Sequence, residues 1–290
     1  MINTPVVLFT FNRPLLAQLV FDEIRRIKPK RLFVISDGPR NEPEMNRVEQ
    51  SRKIIEQVDW KCDVSRKYSD DNLGCRVSVS SGLDWVFSQV ERAIILEDDC
   101  VPTASFFTFC EVLLEKYKDD QKVMMISGDN FFEKESQFSY DFCRHSIIWG
   151  WATWRRAWKQ YDVASASKVD EFDTKFNRLA HLVSGRRLEA IRKTLEGKID
   201  TWDYLWQYAL LLSDGLCVYP SVNLIKNIGF GRSATHTKYR TFHSSLSQKP
   251  ITFPLLHPAR IEPNQSYDEK ISKTYHPFYS FLDIITHLFR

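Results

Sequence analysis

Apolar positions in the first hundred residues follow two alternating rhythms. Val6-Val7-Leu8-Phe9, Arg31 to Ser36, Val64 to Tyr68 and Ala93 to Leu96 are short runs rich in β-branched and aromatic residues, bounded by turn residues, and each reads as a strand. The intervals between them read as helices. Leu15, Leu16, Leu19, Ile24 and Ile27 make an apolar face after Pro14, a charged stretch runs from Glu44 to Val58, and Leu83, Trp85, Val86 and Phe87 follow the Asp70-Asp71-Asn72-Leu73-Gly74 turn. This alternation predicts an α/β chain with a mostly parallel sheet flanked by helices. Two further strand-like runs, Val123 to Ile126 and Leu216 to Ile225, lie in a second half that is less regular and rich in tryptophan. At the end Phe278, Phe281, Leu282, Ile285, Leu288 and Phe289 fall at helical spacing, predicting an amphipathic helix over 275–290 that docks on the rest or lies on a membrane surface.

Composition narrows the picture. The chain has 290 residues, with neither a linker, a fixed-period repeat nor a low-complexity tract, so one domain over 1–274 is the simplest division. Forty Lys and Arg face 37 Asp and Glu, a near balance that supplies no broad cationic field for nucleic acid. The six cysteines form no C-x-x-C pair and no Cys/His cluster at zinc-finger spacing, which fits reduced thiols in a cytoplasmic protein. The first apolar run is too short for a signal sequence, and no stretch reaches the length of a spanning helix.

The chemistry gathers where strands end. Asn12-Arg13, Ser36-Asp37-Gly38 and Glu97-Asp98-Asp99 each follow a predicted strand, and open α/β sheets bind ligands at the carboxyl ends of their strands. Glu97-Asp98-Asp99 would say little alone. Directly after the buried run Ala93 to Leu96, however, it offers hard oxygen ligands of the kind that share a Mg²⁺ or Mn²⁺ ion with substrate phosphates. Asp203 stands between Trp202 and Trp206 near a predicted helix start, where an acid also favours the helix dipole. The stretch Asn227 to Thr237 contains two glycines with Arg232 and His236, groups able to neutralise phosphate. Asp129, after the Val123 strand, reads as a sugar or acceptor contact or as a turn cap. Trp149-Gly150-Trp151 reads as an aromatic wall beside a sugar site, since aromatic rings pack on the apolar faces of sugars as they do in cores.

The order Phe9-Thr10-Phe11-Asn12-Arg13-Pro14, Ser36-Asp37-Gly38-Pro39, Asn72-Leu73-Gly74, Ala93 to Asp99 and Trp202-Asp203-Tyr204-Leu205-Trp206 resembles the GT-A-fold nucleotide-sugar glycosyltransferases, in particular the N-acetylglucosaminyltransferase I-like family. The resemblance spans about residues 4 to 240. It implies a Rossmann-like GT-A fold, a nucleotide-sugar donor that is most often UDP-linked, Mn²⁺ (or Mg²⁺) and an inverting transfer to a hydroxyl of a glycan or lipid-linked acceptor. Glu97-Asp98-Asp99 matches the family's E-D-D version of the D-x-D motif, so Asp99 becomes the metal ligand. Asp98 then acts through the ribose or metal-bound water, and Glu97 orients the loop. Asp37 matches the acid that hydrogen-bonds the base, while Thr10 and Arg13 lie where the first strand meets base or phosphate. Arg76 is a further nucleotide contact. Asp203 matches the acid that deprotonates the acceptor, although Tyr204 stands where the family often has a second acid. Arg232 falls to the diphosphate, and His236 to the diphosphate or, as a late histidine does in many GT-A enzymes, to the metal.

Two other functions share these features. A sugar nucleotidyltransferase uses a similar sheet and a metal but usually carries a glycine-rich loop after its first strand, where this chain has Asn12-Arg13-Pro14. A glycan- or nucleotide-sugar-binding protein that has lost catalysis would bind without releasing UDP.

Overall fold

The computed structural model describes residues 2–132, 136–164, 169–230 and 246–274. The chain runs β1 (Val6–Thr10), α1 (Pro14–Ile27), β2 (Arg31–Ser36), α2 (Glu42–Lys53), β3 (Asp63–Tyr68), α3 (Gly74–Phe87) and β4 (Arg92–Glu97). There follow β5 (Cys100–Pro102), α4 (Ala104–Lys116), β6 (Val123–Ser127), β7 (Tyr140–Cys143), β8 (Trp151–Trp154) and α5 (Arg155–Trp158). Helices α6 (Val169–Leu179), α7 (Gly185–Leu195) and α8 (Asp203–Leu212), strands β9 (Leu216–Pro220) and β10 (Ile225–Asn227) and helix α9 (Gln265–Thr274) complete the order.

Eight strands form one sheet in the order β3-β2-β1-β4-β8-β6-β9-β7. The first four are parallel, the Rossmann-like arrangement that sequence periodicity and resemblance both lead one to expect. Strand β8 then enters antiparallel between β4 and β6, so the sheet is mixed. Strand alternation feeds two cores. Val7 and Phe9 point to the face covered by α3, α7 and α8, and Val6 and Leu8 to the face covered by α1 and α4. The predicted run Leu216 to Ile225 is in fact two strands. Strand β10 leaves the main sheet and pairs antiparallel with β5, bringing Asn227 beside Cys100.

The apolar face of α1 differs from the one the sequence suggests. Leu15 is 82% and Leu19 50% exposed, whereas Ala17, Val20, Phe21 and Ile24 are buried. The buried set keeps i, i+3, i+4, i+7 spacing, and the two leucines lie on the opposite, solvent-facing side of the helix. The tryptophans are mostly structural. Trp151 is fully buried and stacks on Trp202 with ring centres 5.3 Å apart, and Trp158 and Trp206 close the same cluster. All six cysteines are free thiols. No described helix is long and apolar enough to cross a membrane, and the predicted helix over 275–290 lies outside the described residues.

Candidate active site

A cleft of about 800 Å³ opens at the carboxyl ends of β1, β2 and β4, where the strand order reverses. Thr10, Arg13, Asp37, Glu97, Asp98, Asp99 and Asp203 all line it, although Asp203 comes from the far half of the chain. Asp129 is buried outside this lining, with its N–H donating to the Ser127 hydroxyl at 3.0 Å. Arg76 is half-buried in α3, also outside the lining. Arg232 and His236 lie outside the described residues.

Register explains how the acids reach the cleft. Phe9 pairs with Glu97 across β1 and β4, so both chains leave the sheet together, and the Phe11 N–H donates to Asp98 Oδ2 at 3.4 Å. Arg13, at the N-cap of α1, places its guanidinium between the next two acids. Its Nη1 donates to Asp99 Oδ2 at 2.8 Å and its Nη2 to Asp98 Oδ1. Burial alone would lower the Arg13 pKa, but Asp98 and Asp99 outweigh it and raise the pKa above its ordinary value. Burial and the neighbouring acids push Glu97 upward. Asp98 also rises, through burial and despite Arg13. Asp99 is held from behind by the residue that follows β10, since its carbonyl accepts from the Ile228 N–H at 2.8 Å. A Cβ at Gly229 would stand 2.0 Å from Asp99 Oδ2, so only glycine leaves that carboxylate its place. The Thr10 hydroxyl is buried at the cleft floor with no hydrogen-bond partner among the described residues.

Asp37 and a residue that sequence reasoning passed over, Asp200, close the amino end of α3. Asp37 accepts from the N–H groups of Leu73 at 2.8 Å and Gly74 at 3.1 Å, and from Asn72 Nδ2 at 3.0 Å. Asp200 accepts from Cys75 N–H at 2.9 Å and Arg76 N–H at 3.2 Å. Four backbone donors that a helix start leaves open are thus satisfied by two carboxylates from distant parts of the chain. The end of α3 that could have cradled a donor phosphate is already filled by anions. Desolvation still raises the Asp37 pKa, against the N–H groups that stabilise its charge. Helix α8 begins only at Asp203, and Asp200, three residues earlier, turns to α3 instead.

Asp203 is the first residue of α8 and accepts from the Thr201 hydroxyl. Trp202, just before it, is anchored in the tryptophan cluster. Of the expected aromatic wall, Trp149 faces the cleft, with Phe131 and Phe230 edge-on to it at 5.5 and 5.6 Å, whereas Trp151 belongs to the core. Cys75 also lines the cleft. Burial, with Glu97 and Asp203 nearby, pushes its thiol up to about 12, so its thiolate fraction at neutral pH is small and it reacts slowly.

The charge balance of the cleft is unusual for a site that would take an anion. Six acids line it (Asp37, Glu97, Asp98, Asp99, Asp200 and Asp203) against the described cations Arg13, Arg40 and Lys198. Arg13 bridges Asp98 and Asp99, Arg40 pairs with Glu44, and Lys198 with Glu196 at 2.7 Å. Among the described residues no three His, Cys, Asp or Glu side chains converge as a metal-binding set. Asp98 and Asp99 offer the one or two carboxylates through which Mg²⁺ or Mn²⁺ is commonly shared with a diphosphate, so the donor set fits such an ion.

No family model matches the chain, and no curated protein matches it. Solved structures with a similar backbone include UDP-glucose pyrophosphorylase complexed with UDP-glucose, at 8% identity and a TM-score of 0.41, covering 76% of this chain and 90% of that one. S. aureus TarS aligns at 10% identity and a TM-score of 0.45, covering 77% and 59%. The galactosyltransferase LgtC in complex with donor and acceptor sugar analogs aligns at 9% identity and a TM-score of 0.37, covering 59% and 66%. At these scores the likenesses carry no argument about chemistry, which rests on the site itself.

Proposed function

We propose that the chain is a metal-dependent, inverting glycosyltransferase of the GT-A type, moving a sugar from a UDP-linked donor to a hydroxyl of a glycan or lipid-linked acceptor. One observation carries the reading. Six carboxyl groups crowd a nucleotide-sized cleft at the switch point of the sheet, with the described cations already paired, so an anionic donor needs a divalent cation to enter. The motif order shared with the N-acetylglucosaminyltransferase I-like family supports the same conclusion. An ion held on Asp99 and the donor diphosphate would offset the negative charge that grows on the departing nucleotide.

The chain's own residues supply the rest. Asp203 takes the proton of the acceptor hydroxyl as its oxygen attacks the anomeric carbon, and the bond from that carbon to the diphosphate breaks. With a cation held by Asp98 and Asp99, the Arg13 guanidinium that now bridges them would be available to the diphosphate, a group its fork suits. Thr10 offers its hydroxyl to the nucleoside. The aromatic side around Trp149 packs on the apolar face of a sugar.

The test is a thermal-shift panel of nucleotides and nucleotide sugars with and without Mn²⁺, since a ligand that binds only the native state raises its melting temperature. UDP or a UDP-sugar should stabilise the wild type only with the ion, and Asp99→Ala should remove the shift while keeping the fold. UDP release in the presence of acceptor should fall at least about a hundredfold in Asp203→Asn, the scale of general-base loss. Metal-dependent turnover intact in Asp99→Ala would sink the assignment. Consumption of a UDP-sugar only with pyrophosphate would make the protein a nucleotidyltransferase instead.

A further inference from the structure

We infer that Asp200 is a positioning residue for Asp203, locking the segment that carries the base to the amino end of α3. The inference rests on the transferase reading above. Three consecutive residues fix Asp203 from three directions. Asp200 binds the N–H groups of Cys75 and Arg76, Thr201 donates its hydroxyl to the Asp203 carboxylate, and Trp202 stacks on Trp151 of β8. The first of these contacts ties the segment to the backbone of α3, while Trp202 reaches β4, the strand before the acidic loop, through Trp151 of β8.

The geometry at α3 is built around that contact. Gly74 has φ of +79°, a conformation glycine adopts at little cost, and a Cβ there would stand 2.5 Å from Asp200 Oδ2. The two donors come from the first turn of the helix, where the dipole favours a carboxylate. Asp37 has already taken Leu73 and Gly74, so Asp200 completes a set of four that neither acid could satisfy alone. Cys75, Glu97, Asp200 and Asp203 all line the same cleft, so the α3 terminus lies beside both the E-D-D loop and the base. Releasing Asp200 would leave the backbone before Asp203 held by Trp202 and by the side chain of Thr201, without its two hydrogen bonds to the α3 backbone. A shift of about 1 Å at a reacting group costs on the order of a hundredfold in rate.

The experiment compares Asp200→Ala and Asp200→Asn with the wild type in three measurements. These are amide hydrogen exchange at Cys75 and Arg76, the Mn²⁺-dependent thermal shift with UDP, and the turnover number for UDP release from the UDP-sugar that stabilises the wild type most. In Asp200→Ala the two amides should lose protection and turnover should fall at least tenfold, with the UDP shift unchanged. Asp200→Asn keeps one acceptor oxygen, so it should recover part of both protection and turnover, and it serves as the readout if the alanine variant fails to fold. A purely structural cap would lower the melting temperature of Asp200→Ala but leave turnover within twofold of the wild type at temperatures where both are folded, and that result overturns the inference. Unchanged amide protection at Cys75 and Arg76 also overturns it. Absence of UDP release from the wild type itself would instead reject the transferase reading, and this inference with it.

Discussion

Asp268 shows what burial does to a single carboxylate. Desolvation pushes its pKa up to about 6, above the ordinary carboxylate range, although it accepts the Arg144 N–H at 2.9 Å and pairs with the Arg144 guanidinium at 3.2 Å. A group with a raised folded pKa holds its proton more tightly in the native state. Its stabilising contribution is therefore present below the unfolded value and lost as pH rises through the folded one. Between about pH 4 and pH 6 the wild type should lose stability relative to Asp268→Asn, by about 2 kcal/mol, read from denaturant midpoints across that range. The same competition between burial and pairing limits what a sequence tells about single residues. The acids after β4 were legible because a carboxylate directly after a buried strand has no solvated helix face to explain it. Asp200 was not, because its partners lie 124 and 125 positions away and nothing local marks them. Nor could the sequence show that Arg13 bridges Asp98 and Asp99, since that contact depends on how β1 and β4 leave the sheet together.

At the level of elements, strands proved easier to read than helix faces. Strand β2 has the predicted bounds, because a run buried on both faces is apolar at nearly every position and its ends are marked by polar turns. Helix α1 has apolar residues on more of its circumference than it buries, so the pattern Leu15-Leu16-Leu19 drew the face round to the solvent side. The structure turns this into a measurable contrast. Leu15→Gln should change stability by less than about 0.5 kcal/mol, as surface replacements usually do. Phe21→Ala, at a site with no exposure, should cost about 3–5 kcal/mol by chemical denaturation. A large loss at Leu15 would mean that the exposed flank of α1 is covered in solution.

Across the whole molecule, the sheet order was the least legible feature. Strand β8 is four residues long and lies in the irregular, tryptophan-rich half, yet it joins the parallel strands to the rest of the sheet. That join gives one apolar core that includes Val7 of β1, Trp151 of β8, Leu205 of α8 and Ile271 of α9. A core that draws on both ends of the described residues should unfold as a unit, giving a single calorimetric transition whose van't Hoff and calorimetric enthalpies agree. Two resolved transitions would place a domain boundary inside residues 2–274. The cysteines offer a practical consequence. Four of the six are buried, while Cys62 and Cys75 are partly accessible, the former just before β3 and the latter just after Gly74 at the other end of that strand. Cys75 faces the cleft and Cys62 does not. A thiol-alkylating probe applied at alkaline pH, where the thiolate fraction of both grows, therefore carries its own internal control: a bound nucleotide sugar should slow labelling at Cys75 and leave Cys62 unchanged, reporting occupancy of the site before any acceptor is known.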